Sequence, residues 1–184
     1  MAFTVMTCAY EHGSPLHRLL VWLVAVLCSG MLQMAYVLML RSRGSVTAYD
    51  VPERLQRTKP YFVSAGISFA GMMILLLLHA SVFLWSLLWC YSINTLITAA
   101  INSRWKISAH LMGLTGPVTA LHPVIGMGVL WFVPVVIVLG WSRIRLEAHT
   151  PAQVCAGAIA GVLLTQVQLM WFLKYGEELV RWWY

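Results

Sequence analysis

Six apolar stretches, at about 17–40, 61–79, 81–101, 108–121, 124–140 and 150–173, are separated by short polar segments, and this alternation constrains the fold more than any single motif. A bilayer-spanning helix needs about 20 predominantly apolar residues. A chain of 184 residues therefore accommodates six such helices with short connections and no separate soluble domain. Composition agrees, since 60% of the residues are hydrophobic and 10% charged, against roughly 45–50% and 25% in soluble domains. The predicted fold is all-α, a polytopic membrane protein with six transmembrane helices in one bundle. The first stretch is too long for a signal-peptide core and has no small-residue cleavage site before Arg41, so it is expected to be retained as a span.

Local chemistry predicts the boundaries. Residues 1–16 read as a short polar tail. In the loop before the second stretch, Asp50-Val51-Pro52-Glu53 carries an acidic cap and an early proline, the features of a helix start. His122-Pro123 is expected to interrupt the chain between the fourth and fifth stretches, because proline cannot continue the helical hydrogen-bond ladder. Thr150 at the cap, Pro151 at the first helical position and Gln153 three residues past the cap combine three start signals for the last helix. Gly157 and Gly161 place two small residues on one face of that helix, a surface expected to pack within the molecule.

Threading the stretches back and forth puts the loops at 41–60, 102–107 and 141–149 on one side of the membrane, side A, and both termini on side B. Nine of the 12 Lys and Arg residues then lie on side A. The positive-inside rule accounts for such a bias, and so does an anionic ligand. Short loops between spans are no platform for nucleic acid, and none is expected as a partner. Cys8, Cys28, Cys90 and Cys155 lie far apart, with no CxxC pair and no histidine at metal spacing, which argues against a metal site or a disulfide framework.

Three side-A segments set polar residues at helix starts. Arg54, Arg57 and Lys59 precede the second stretch, Lys106, Ser108 and His110 open the fourth, and Ser142, Arg143 and His149 precede the sixth. Helix N-termini offer unpaired N–H groups and a positive dipole end, so their convergence would bind phosphate. Ser142-Arg143, followed after five residues by His149, matches the pattern SRxxxxxHxxxD, with Gln153 in the aspartate position. Ile107-Ser108-Ala109-His110 keeps the serine and histidine of PSGH; Lys59-Pro60 stands where KxxxxxxRP has its Arg-Pro, with Pro52 at the distant lysine. In these residues, over about 50–165, the chain resembles the membrane-bound type-2 phosphatidic acid phosphatase superfamily.

The resemblance implies a metal-independent, cofactor-free hydrolase in the bacterial inner (plasma) membrane, acting on a lipid phosphate or polyprenyl diphosphate. It implies His149 as the nucleophile that becomes phosphohistidine and His110 as the general acid. Imidazole suits both roles, because its unperturbed pKa of about 6.5 lets it be neutral or protonated near neutral pH. Arg143, Ser108, Ser142 and Lys106 would hold the phosphate with Lys59, and Arg57 or Arg54 would supply the charge of the missing lysine. Gln153 would orient His149 without adding negative charge. A rival expectation is a catalytically silent subunit of the same fold that binds membrane lipids, pigments or partner membrane subunits. His79 and His122 are expected in side-B turns, His12 and His17 at the tail, and Trp105, Trp141, Trp171, Trp182 and Trp183 as interfacial anchors.

Overall fold

A computed structural model describes residues 1–44 and 58–180; Arg54, Arg57 and the helix start expected at 50–53 lie outside the described residues, as do Trp182 and Trp183. All regular structure among the described residues is helical. The elements are α1 (Ala2–Tyr10), α2 (Pro15–Val26), a π turn (Leu27–Met31), α3 (Leu32–Ser42), α4 (Thr58–Leu77), α5 (Val82–Asn102), α6 (Ala109–Ile125), a 3-10 segment (Gly126–Phe132), α7 (Val133–Arg145) and α8 (Pro151–Val180). Five stretches are long and apolar enough to cross a membrane: Pro15–Ser42, Thr58–Leu77, Val82–Asn102, Ala109–Arg145 and Pro151–Gly176. Their outer surfaces expose Leu19, Leu23, Ile137, Val138, Leu163 and Val167. Apolar surface on that scale is a cost in water and none in lipid, which marks the chain as an integral membrane protein.

Residues 1–16 are not a tail. They form α1, whose Phe3 and Met6 are buried in the same core as Phe83, Leu121 and Phe172. Tyr10 stacks on Phe83 with ring centroids 4.7 Å apart. Ser14 then caps α2 by accepting the His17 N–H at 3.2 Å, with Pro15 at the first helical position. His17 is tied down as well, its Nε2 lying 2.9 Å from Oε1 of the buried Glu11. The other carboxylate oxygen of Glu11 accepts the backbone N–H of Ser81, the cap of α5, at 3.0 Å. One carboxylate thus joins α1, α2 and the α4–α5 turn, where His79 takes a left-handed φ of 53°. Glu11→Ala is expected to destabilise the protein by about 1–3 kcal/mol, the cost of an unsatisfied buried donor, read as a lower melting temperature in detergent; Glu11→Gln, which retains an acceptor, should lose less.

α2 and α3 run as one rod through the π turn, in which the Leu32 N–H reaches back five residues to Leu27. Gln33 Nε2 donates to the Cys28 carbonyl at 3.0 Å and to Ser68 Oγ on α4 at 2.9 Å, and Ser68 Oγ donates to the same carbonyl at 3.3 Å. The expected break at His122-Pro123 falls elsewhere. α6 continues through Pro117 and Pro123 to Ile125, so His122 lies inside the helix and not in a turn. A proline deletes one donor, and the remaining amides of the final turn still bond. The helix ends where Gly126 adopts φ 54°, a left-handed value that suits glycine. Beyond it the chain turns back, because Gly140 near the end of α7 packs against Leu111 near the start of α6 and against Val154 of α8.

α6 and α8 approach closely along a seam of small residues. A Cβ on Gly157 would collide with the Ser108 carbonyl oxygen, and one on Gly161 would lie 2.7 Å from the Met112 carbonyl oxygen. Thr115 Oγ1 crosses the seam to the Ala158 carbonyl at 3.0 Å. The Gly157 and Gly161 face is thus buried inside the molecule, as expected.

Candidate functional site

The seam sets the starts of α6 and α8 side by side. Ser108 N–H donates to the Gln153 carbonyl at 3.2 Å, tying the residue that caps α6 to the first turn of α8. The α7–α8 loop closes over this junction. The Arg143 carbonyl accepts the N–H groups of Ala148 at 3.1 Å and His149 at 3.3 Å. The five-residue spacer therefore curls back on itself, with Glu147 taking φ 52° to make the turn. Ser142 Oγ bonds within its own helix to the Leu139 carbonyl at 2.8 Å.

That curl buries His149, which is 5% exposed. Its Nδ1 lies 3.3 Å from the Lys106 carbonyl and 3.3 Å from Gln153 Oε1. Both neighbours are acceptors, so both call for a proton on Nδ1. Nε2 is then the unprotonated nitrogen of the neutral ring, and it is buried. Gln153 also completes the reciprocal cap read from the sequence: its Oε1 accepts the Thr150 N–H at 3.2 Å, and its N–H donates to Thr150 Oγ1 at 3.4 Å.

Around this knot the cluster is uneven. Ser108 is fully buried, and its Oγ has no hydrogen-bond partner among the described residues. The start of α6 has no side-chain cap hydrogen bond. The start of α8 differs, because Pro151 lacks an N–H and the Gln153 N–H is taken by Thr150. Arg143 is half-buried with Nε inside the protein, Lys106 is half-buried, and His110 is exposed on the second residue of α6. Lys59 is exposed at the start of α4. The structure thus links Lys106, Ser108, Arg143, His149 and Gln153 by direct bonds of backbone or side chain, while no described hydrogen bond ties Ser142 or Lys59 to this network.

Two cavities adjoin the cluster. An apolar one of about 600 Å³ lies between α6, α7 and α8, walled by Val118, Val133, Val136, Ile159, Val162 and Leu163. It begins at Thr115, two helical turns from Ser108, or ~10 Å along α6. The second, of about 340 Å³, is lined by α4, α5, α6, α8 and the α2–α3 rod. No motif announces it in the sequence, because its polar residues are scattered over all of these helices.

Compared with known proteins, the chain matches no family model, no curated protein and no solved structure.

Proposed function

We propose that the chain is a metal-independent lipid phosphate phosphatase whose active site is the His149 cluster. The carrying observation is the pair of carbonyl acceptors within 3.3 Å of His149 Nδ1: they favour a proton there, and in the neutral ring that makes Nε2 the lone-pair nitrogen, the form a nucleophile needs. The SR-x5-H spacing and its likeness to the phosphatase superfamily support the same assignment. In this reading Nε2 attacks phosphorus, His110 protonates the departing lipid oxygen, and water activated by His110 then cleaves the phosphorus–nitrogen bond to release inorganic phosphate. Arg143, Lys106, Lys59, Ser142, Ser108 and the first-turn amides of α6 hold the non-bridging oxygens. Because Nε2 is buried, substrate reaches it only as the side chains over the loop move aside. The lipid tail occupies the apolar cavity below.

The same reading takes Ala109–Arg145 as two crossings folded at Gly126, for six in all. A single helix of 37 residues would extend ~55 Å, well beyond a hydrocarbon core of about 30 Å, and the Gly140–Leu111 contact favours the fold-back. A second reading, a catalytically silent subunit, is favoured by the neutral Gln153 beside His149 and by the buried Nε2. Phosphate release by purified protein from lysophosphatidate, phosphatidate and farnesyl diphosphate decides between them; no release from any would overturn the phosphatase.

Gln153 gives a finer test. Gln153→Glu preserves the length needed to reach Thr150 and adds the negative charge that stabilises imidazolium, so turnover should equal or exceed wild type. Gln153→Leu removes the acceptor that orients the ring and should lower turnover by roughly one to two orders of magnitude. Equal activity in all three proteins would exclude an orienting role for residue 153.

A further inference from the structure

The smaller of the two cavities differs in kind from the phosphate cluster. It starts beside Ala109, next to Ser108, and reaches Leu87 and Thr165 deep in the bundle. Among the described residues every polar side chain lining it is uncharged. A hole of about 340 Å³ is within the range of small-molecule pockets, about 300–1,000 Å³. Polar groups at membrane depth are costly unless they bond to something.

Hydrogen-bond directions show what the cavity offers. Thr95 donates to the Tyr91 carbonyl at 2.7 Å, so its lone pairs remain to accept, whereas Thr98 Oγ1 lies 2.7 Å from the Asn94 carbonyl and 2.9 Å from Met112 Sδ. Thr165 accepts from Asn94 Nδ2 at 3.0 Å and keeps its own hydroxyl proton. Ser64 and Tyr91 also line the wall. Donors and acceptors are therefore mixed, as a hydroxyl requires. Among the described residues no cation lines the wall to offset the desolvation of a phosphate. Gly113 makes room, since a Cβ there would meet nothing within 4 Å.

We infer that this cavity binds an uncharged, hydroxyl-bearing ligand, the headgroup of a neutral lipid alcohol or a free polyol, and excludes its phosphorylated counterpart. The inference stands apart from the phosphatase reading, because it is measured by binding and not by phosphate release. Full-length protein in nanodiscs is titrated with labelled monooleoylglycerol, with oleoyl lysophosphatidate and with glycerol. Monooleoylglycerol should bind saturably. Gly113→Leu, whose Cβ enters open space beside the cavity and whose longer side chain takes up its volume, should weaken that binding at least tenfold, with Gly113→Ala as the folding control. Ser64→Ala combined with Thr95→Val, which keeps the shape and removes two hydroxyls, should weaken it several-fold. Lysophosphatidate binding should be unchanged by either variant. Displacement of monooleoylglycerol by free glycerol would identify a polyol as the source of the headgroup, and failure to displace a membrane lipid alcohol. Undiminished binding in Gly113→Leu, equal loss of the neutral and phosphorylated lipids, or no saturable binding by wild type would overturn the inference.

Discussion

Replacing His149 with alanine should abolish phosphate release, by at least about three orders of magnitude, while leaving the fold intact. In the proposed reaction no other group forms the bond to phosphorus, and loss of a nucleophile removes the covalent route altogether. The fold should survive because the ring holds the α7–α8 loop through two contacts of 3.3 Å, long for hydrogen bonds. The stronger fastenings of that junction are backbone bonds, from Ser108 to Gln153 and from Ala148 and His149 to Arg143. His149→Gln separates chemistry from packing, since an amide fills much of the same space without being a nucleophile. Both variants should be inactive, His149→Gln with the wild-type melting temperature and His149→Ala with a somewhat lower one, as truncation of a buried side chain costs stability. A His149→Ala protein that still releases phosphate at a tenth of the wild-type rate would remove His149 from the mechanism.

The second large effect lies in the α6–α8 seam. Gly161→Val should prevent stable folding, and Gly161→Ala should cost about 1–3 kcal/mol or more, as overpacking of a close interface does. The added Cβ would sit 2.7 Å from the Met112 carbonyl oxygen and 3.0 Å from the Met112 Cα. Those atoms are backbone and cannot swing away, so the helices themselves must separate. Gly113→Ala is the matched control on α6, because its Cβ enters open space and alanine favours helix by up to about 1 kcal/mol. Thermal unfolding in one detergent should rank the proteins Gly113→Ala, wild type, Gly161→Ala in order of falling stability. Equal stability of wild type and Gly161→Ala would mean that the helices tolerate wider spacing than the seam implies.

What could be read from the chain depended on how local the cause was. The start of α8 was legible because Thr150, Pro151 and Gln153 act within one turn. The Gly157–Gly161 face was legible because its spacing is helical. α1 was misread, because Glu11, His12, Gly13 and Ser14 resemble the end of a tail, whereas burial of Phe3 and Met6 depends on partners as distant as Phe83 and Leu121. The helix end moved from Pro123 to Gly126 because a helix tolerates one missing donor better than a left-handed backbone value. At the candidate site, the junction of Lys106, Ser108 and His149 followed the motifs. The favoured tautomer and the uncharged cavity did not, since each needs groups from separate helices to meet.

The π turn at Leu27–Met31 has a genetic consequence. Such a turn holds one residue more than the α-helical path across the same span. Deleting a single codon there would restore regular winding while leaving Leu32–Ser42 on its present face, because the turn already absorbs the extra residue. Gln33 would still face Ser68, and the side chains that now face lipid would stay there. In this part of the chain an in-frame loss of one residue should therefore be less disruptive than the same loss in a regular stretch of helix, where everything beyond it turns by about 100°.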